Sequence, residues 1–205
     1  MFKFFNDYLN KKNLTDKRFD FLLEPYEGDE AVVFDCETTG LNPKTDDIIS
    51  IGAIKIKGNT IHTSSKFERF VKPKSELEAQ SIKIHHIRKC DLDGAKDIDT
   101  MIEEFLYFVE NRPLIGYYLE FDVAMVNKYI KPKIGIKLPN KQIEVSALYH
   151  DKKIGLIPQG VVDLRFDSIM KDLNLPIMGK HDAINDAIMT AMIYIKLKNI
   201  GKLSS

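Results

Sequence analysis

Apolar positions along this chain switch between two periods, and the switches mark its elements. Phe2, Phe5, Tyr8 and Leu9, then Phe19, Leu22 and Leu23, recur at helix-like intervals. "EPYEGDE" follows as a linker, so residues 1–30 read as an N-terminal helical extension and 31–205 as the main domain. "AVVFDC" is a short buried strand. "DDIISIGAIKIKGNTIHTSSKFERFVKP" predicts a hairpin, with strands either side of Gly58 and Asn59. "DIDTMIEEFLYFVENR" has its apolar residues at Met101, Ile102, Phe105, Leu106 and Val109, the stripe of an amphipathic helix. "PLIGYY" is a further strand and "FDVAMVNKYI" a helix directly after it. "DLRFDSIMKDLNL" and "HDAINDAIMTAMIYIKLK" predict two more helices. A hairpin followed by strands alternating with helices predicts an α/β fold, a mixed sheet with helices packed on it.

Composition changes little in this picture. A chain of 205 residues buries a full core as one domain by default. Thirty basic and thirty acidic residues cancel, so any site for a polyanion has to be local. Two cysteines, Cys36 and Cys90, make neither a disulfide framework nor a zinc-type cluster, which favours a reducing, cytoplasmic setting. "MFKFFNDYLN" is too broken by polar residues for a signal peptide, and no apolar run is long enough to cross a membrane.

Chemistry enters where the first buried strand gives out, at "VVFDCETTG". Residues two apart in a strand share a face, so Asp35 and Glu37 stand together while Cys36 points to the core. Two carboxylates so placed repel, and a bound cation would resolve the conflict. Asp122 follows the "PLIGYYLEF" segment and Asp186 lies early in the last helix. Either aspartate alone also suits a first helical turn, where the dipole favours an acid. Four acids at the ends of different elements suggest a two-metal site, whose ions lie roughly 3.5–4 Å apart in phosphoryl-transfer enzymes. His181 is rotated away from Asp186 on a continuous helix, so it serves this site only if Asp182 is the N-cap and His181 precedes the helix. There it would be placed to take a proton from an attacking water.

"FDCETTG" resembles the first exonuclease motif of the DEDDh family, the group that contains the proofreading epsilon subunit of bacterial replicative polymerases. "EFDVAMVN" is similar to its second motif and "HDAINDAIMTA" to its third, in the family's order, over residues 31 to about 198. The resemblance implies a ribonuclease-H-like fold, a mixed five-stranded sheet flanked by helices. It also implies removal of nucleotides from a 3′ end with two Mg²⁺ or Mn²⁺ ions, releasing nucleoside 5′-monophosphates. By position, Asp35, Glu37, Asp122 and Asp186 are then the metal-binding acids and His181 the general base, with Thr38 and Leu41 at the terminal nucleotide. The second motif departs from the family: Tyr117 and Tyr118 stand where relatives often carry His-Asn, and with Phe121 they offer aromatic contacts to bases. "IHHI" at 84–87 is similar to an Ile-His-Gly segment of relatives, and no role is assigned to His85.

Between Asp122 and Glu144 there is no acid, and Lys128, Lys131, Lys133, Lys137 and Lys141 crowd that window with Tyr129. A basic loop beside a metal site would hold phosphates, with Lys128 and Lys131 the nearest, although a solvated lysine-rich surface looks the same. The leading expectation is a DNA 3′–5′ exonuclease in proofreading or repair. The alternatives are an RNA 3′-trimming enzyme of the same family and a degenerate module kept to dock a polymerase. Only a short stretch ending "NIGKLSS" follows the last helix, whereas polymerase-bound relatives often carry a long C-terminal tail, which leans towards a free-standing enzyme.

Overall fold

The computed structural model describes residues 2–74, 79–154, 161–179 and 181–200. The order is α1 (Phe2–Asn13), β1 (Glu30–Thr38), β2 (Ile48–Lys57), β3 (Thr60–Ile61), β4 (Phe67–Phe70), α2 (Ala79–His85), α3 (Ile98–Val109), β5 (Leu114–Gly116), α4 (Leu119–Ile134), β6 (Gln142–Glu144), α5 (Val145–Ile154), α6 (Phe166–Asp172) and α7 (Ala183–Asn199). The sheet runs β3-β2-β1-β5-β6, with β4 also on β2. β1 pairs antiparallel with β2 and parallel with β5, and β5 parallel with β6, so the sheet is mixed as expected. It has six strands rather than five, because the return strand of the hairpin is broken: β3 pairs with one end of β2 and β4 with its middle, and the chain between leaves the ladder in a short 3₁₀ turn, Thr63–Ser65.

Alternation along β1 sorts the core into two layers. Val32, Phe34 and Cys36 face α3, α4 and the N-terminal segment, where the ring of Phe34 lies 5.2 Å from that of Phe105. Ala31 and Val33 face the other way, towards α5, α6 and α7. Period two then carries Asp35 and Glu37 to the α7 side. Gly52 pairs with Asp35 across the ladder, and any Cβ there would come within 2.2 Å of the backbone of Ala183 and Ile184. The bare glycine lets the start of α7 lie directly on the sheet.

The N-terminal segment departs in detail from its helical reading. α1 is a helix, but Tyr8 is exposed, and the side chains of Phe2 and Phe5 lie outside the described residues. Residues Lys17–Leu23 form a 3₁₀ helix kinked at Phe19, with the Asp16 side chain accepting from the Arg18 N–H. Leu14, Phe19 and Leu22 are buried in the α3–α4 layer, so the segment is packed on the domain. The "GKLSS" end and Lys180 lie outside the described residues. No helix among the described residues is long and apolar enough to cross a membrane.

Candidate active site

Oxygens of Asp35, Glu37 and Asp186 lie within 4.8 Å of one another, the convergence expected from the sequence. Asp122 sits deeper, in the first turn of α4, where its Oδ1 accepts the Cys36 N–H at 3.1 Å. That bond ties α4 to the end of β1 between the two acids. α4 itself has no cap from its own sequence neighbours: Tyr118 is left-handed at φ 60° and makes no side-chain cap. Glu144 on β6 does the work from a distance, its Oε2 accepting the Leu119 N–H at 2.8 Å. Asp182 caps α7 by accepting from Ile184 and Asn185, both at 3.2 Å. His181 therefore precedes the helix, in the left-handed region at φ 57°. Its N–H donates to Asp186 Oδ2 at 3.1 Å, so the acid that joins the cluster also pins the backbone of the histidine.

The acids strain one another electrostatically. Asp35 is pushed well above the usual carboxylate range by burial first, then by Asp122, Glu37 and Asp186. Glu37 is pushed up to about 8 by burial, Asp186 and Asp182. Asp122 is raised by burial, against the opposing hydrogen bond from Cys36. Carboxylates gathered so closely raise one another's proton affinity, and a divalent cation among them would relieve that repulsion. Clustered carboxylates suit a hard, oxygen-loving cation. Burial pushes the Cys36 thiol up as well, which keeps it protonated and inert.

The expected substrate residues fall into two groups. Leu41 is 86% exposed and Tyr118 is 73% exposed, large apolar side chains standing in solvent beside the acids' elements. Thr38 is buried, its hydroxyl donating to the Gly40 carbonyl at 2.7 Å in the loop that carries Leu41. Lys131 is exposed in the last turn of α4. Tyr117, by contrast, is half-buried: its hydroxyl donates to the Leu164 carbonyl at 3.0 Å and its ring meets Phe166 edge-on at 4.9 Å. Phe121 packs against the α3–α4 core. Lys128, expected at a phosphate, makes internal contacts. Its ammonium lies 3.0 Å from buried Asp47 and donates to the Asp46 carbonyl at 2.8 Å. Lys133 likewise lies 3.7 Å from Glu103, so the acid-free window in sequence is not an unopposed basic patch in space.

Sequence reasoning missed Asp47 and Arg165. Asp47 also accepts from the Tyr129 hydroxyl at 2.7 Å and the Lys74 N–H at 3.0 Å, and these carboxylate partners and Lys128 lie 27 to 82 residues away, beyond any local pattern. Arg165 lines a cavity of about 410 Å³ together with Asp35, His181 and Asp186.

A family model described as "Exonuclease" matches residues 32–194. The chain is 31% identical over 177 residues to a DNA polymerase III of PolC type from Thermotoga maritima, covering 83% of this chain and 12% of that protein. It is 28% identical over 166 residues to the DNA polymerase III subunit epsilon of Aquifex aeolicus, covering 81% of this chain and 79% of the relative. The chain thus spans about an eighth of its PolC-type relative. Among solved structures, cell-death related nuclease 4 superposes with a TM-score of 0.72 at 18% identity, over 85% of this chain and 65% of that one. E. coli exonuclease I in complex with a dT13 oligonucleotide gives 0.69 at 16% identity, over 82% and 41%.

Proposed function

The chain belongs to the exonuclease family, and on that footing we propose that it removes nucleotides from the 3′ end of DNA, releasing nucleoside 5′-monophosphates in proofreading or repair. The observation that carries this is the meeting of Asp35, Glu37 and Asp186 beside a histidine held by the last of them. Asp35, Glu37, Asp122 and Asp186 would hold two divalent cations, which supply charge neutralisation of the scissile phosphate and activation of water. The chain's own residues do the rest. His181 takes a proton from the attacking water; the water oxygen bonds to phosphorus as the P–O3′ bond breaks, and the freed 3′ oxygen is reprotonated. The Cys36 N–H holds Asp122 in line with β1. Leu41 packs on the terminal nucleotide, and Thr38 supports that loop through its bond to the Gly40 carbonyl. Tyr118 offers its exposed ring to a base and Lys131 its charge to a phosphate.

DNA rather than RNA is supported by relatives named as DNA polymerase III and by a structural neighbour solved with an oligothymidylate. The same names favour action alongside a replicative polymerase over the free-standing enzyme expected from the short C-terminal end. The decisive assay compares single-stranded DNA, a mismatched duplex and RNA, each 5′-labelled, with Mg²⁺, with Mn²⁺ and with chelator. Stepwise shortening of DNA that stops in chelator is expected. Undiminished hydrolysis in chelator, or shortening of RNA alone, refutes the proposal.

A further inference from the structure

The cavity beside the acids has a wall that the four acids and the histidine leave unexplained. Tyr117 and Phe166 form one side of it, their rings packed edge to face, and Arg165 lines it as the N-cap of α6. Asp163 holds the guanidinium from behind. Its Oδ1 accepts the Arg165 N–H and Nε–H, both at 3.0 Å, and its Oδ2 accepts the Ser168 hydroxyl at 2.7 Å. An exposed pair of this kind contributes little to stability, so its consequence is to fix the plane of the arginine. Arg165 is mostly exposed, and a guanidinium bound along one edge keeps further N–H donors facing outward.

A strand whose scissile phosphate sits at Asp35 and Asp186 has to lay its next phosphate against one wall of the site. Lys128 is turned inward to Asp47, and among the described residues lining the cavity beside Asp35 and Asp186 the guanidinium of Arg165 is the permanent cation. We infer that Arg165 is the docking residue for the phosphodiester immediately upstream of the scissile one, with the neighbouring nucleoside against the Tyr117–Phe166 wall. This rests on the exonuclease reading of the acid cluster. It also gives a physical substitute for the polar pair that Tyr117 and Tyr118 replace in the second motif.

Two substrates separate this contact from catalysis. A single-stranded decamer carries the upstream phosphate, and the p-nitrophenyl ester of thymidine 5′-monophosphate does not. Arg165→Ala is expected to lower the preference for the decamer over the ester about tenfold, mainly through KM, the scale of one charge-assisted hydrogen bond. Arg165→Lys keeps the charge without the planar fork and should recover part of the preference. Binding of the decamer with Ca²⁺ in place of the reactive ion provides a second readout. The slope of log K against log salt should fall in magnitude by about 0.7 for Arg165→Ala, the value for one lost phosphate contact on a single strand. An unchanged preference or an unchanged slope overturns the inference. Wild-type protein that hydrolyses neither substrate counts instead against the proposed function, and the salt slope alone then decides Arg165.

Discussion

Adding one methyl group at Gly52 tests how the site is assembled. Position 52 is in the middle of β2, remote from the reacting atoms in sequence, and Ala is otherwise harmless in a buried strand. Its Cβ would lie 2.2 Å from both the Ala183 carbonyl carbon and the Ile184 nitrogen. Ordinary carbon contacts begin near 3.5 Å, so the first turn of α7 has to retreat by roughly 1 Å. That turn carries the Asp182 cap, Asp186 and, just before it, His181. Overpacking of this kind costs about 1–3 kcal/mol of stability. The larger effect is on geometry, because a displacement of about 1 Å costs on the order of 10²-fold in rate. Gly52→Ala should therefore fold, melt several degrees lower and turn over roughly a hundred times more slowly with Mn²⁺ present. Gly58→Ala is the control: it meets no neighbouring atom, and its φ of 58° costs about 1–2 kcal/mol without touching the site. Single-turnover rates and melting curves of the two variants decide the matter. A Gly52→Ala enzyme with the wild-type rate would show that α7 is not seated by that contact.

Further outcomes follow from the same geometry. Asp35→Ala should abolish hydrolysis while leaving the metal-free protein as stable or more so, because one of the repelling charges is gone; a marked fall in melting temperature would contradict the strain. Glu37 has its folded value raised to about 8, so the folded metal-free protein binds more protons than the unfolded chain and loses stability as pH rises from about 4.5 to 8. Melting curves across that window, with and without Mg²⁺, should show the metal's stabilisation growing with pH; a flat difference refutes it. His181→Ala should slow single turnover by about 10²–10⁴-fold with Mn²⁺ affinity retained, and a wild-type rate would remove the histidine from the mechanism. Phe19→Ala should cost about 3–5 kcal/mol, since that ring is fully buried in the α3–α4 layer; an unchanged denaturant midpoint would mean the N-terminal segment is not part of the core.

Local chemistry explains which features were legible in the sequence. Alternation in "VVFDCET" fixed the faces of Asp35, Cys36 and Glu37, and the Asp182 cap put His181 outside α7, because both rules operate within four residues. β6 and α5 went unread: a three-residue strand shows no period, and α5 buries little beyond Val145 and Tyr149. The role of Gly52 had a signal, since an isolated glycine within "IISIGAIKIK" marks close backbone approach. The Lys128–Asp47 contact went unread because charge along a sequence says nothing of what a side chain meets across 81 residues of chain.

Asp47 shows why such distant partners matter to the chemistry. It is a buried acid at the head of β2, and its satisfied bonds reach three segments: Thr39 in the loop before it, Lys74 beyond β4, and Lys128 with Tyr129 on α4. The loop follows Thr38 and carries Leu41, and α4 carries Asp122. The Asp47 backbone N–H donates to the Thr39 hydroxyl while its carboxylate holds α4, so one residue fixes the proposed seat of the terminal nucleotide relative to an acid of the proposed metal site. The Lys128 ammonium, the Tyr129 hydroxyl and the Lys74 N–H together compensate a charge that would otherwise be costly to bury, and they do so only when these segments are in register. Burial and hydrogen bonding to Asp47 also raise the Tyr129 hydroxyl far above its ordinary range, so it stays a donor at any working pH. Lys128, read in sequence as a substrate contact, thus also bonds the Asp46 carbonyl and Asp47, bracing α4 against the end of the loop that carries Leu41.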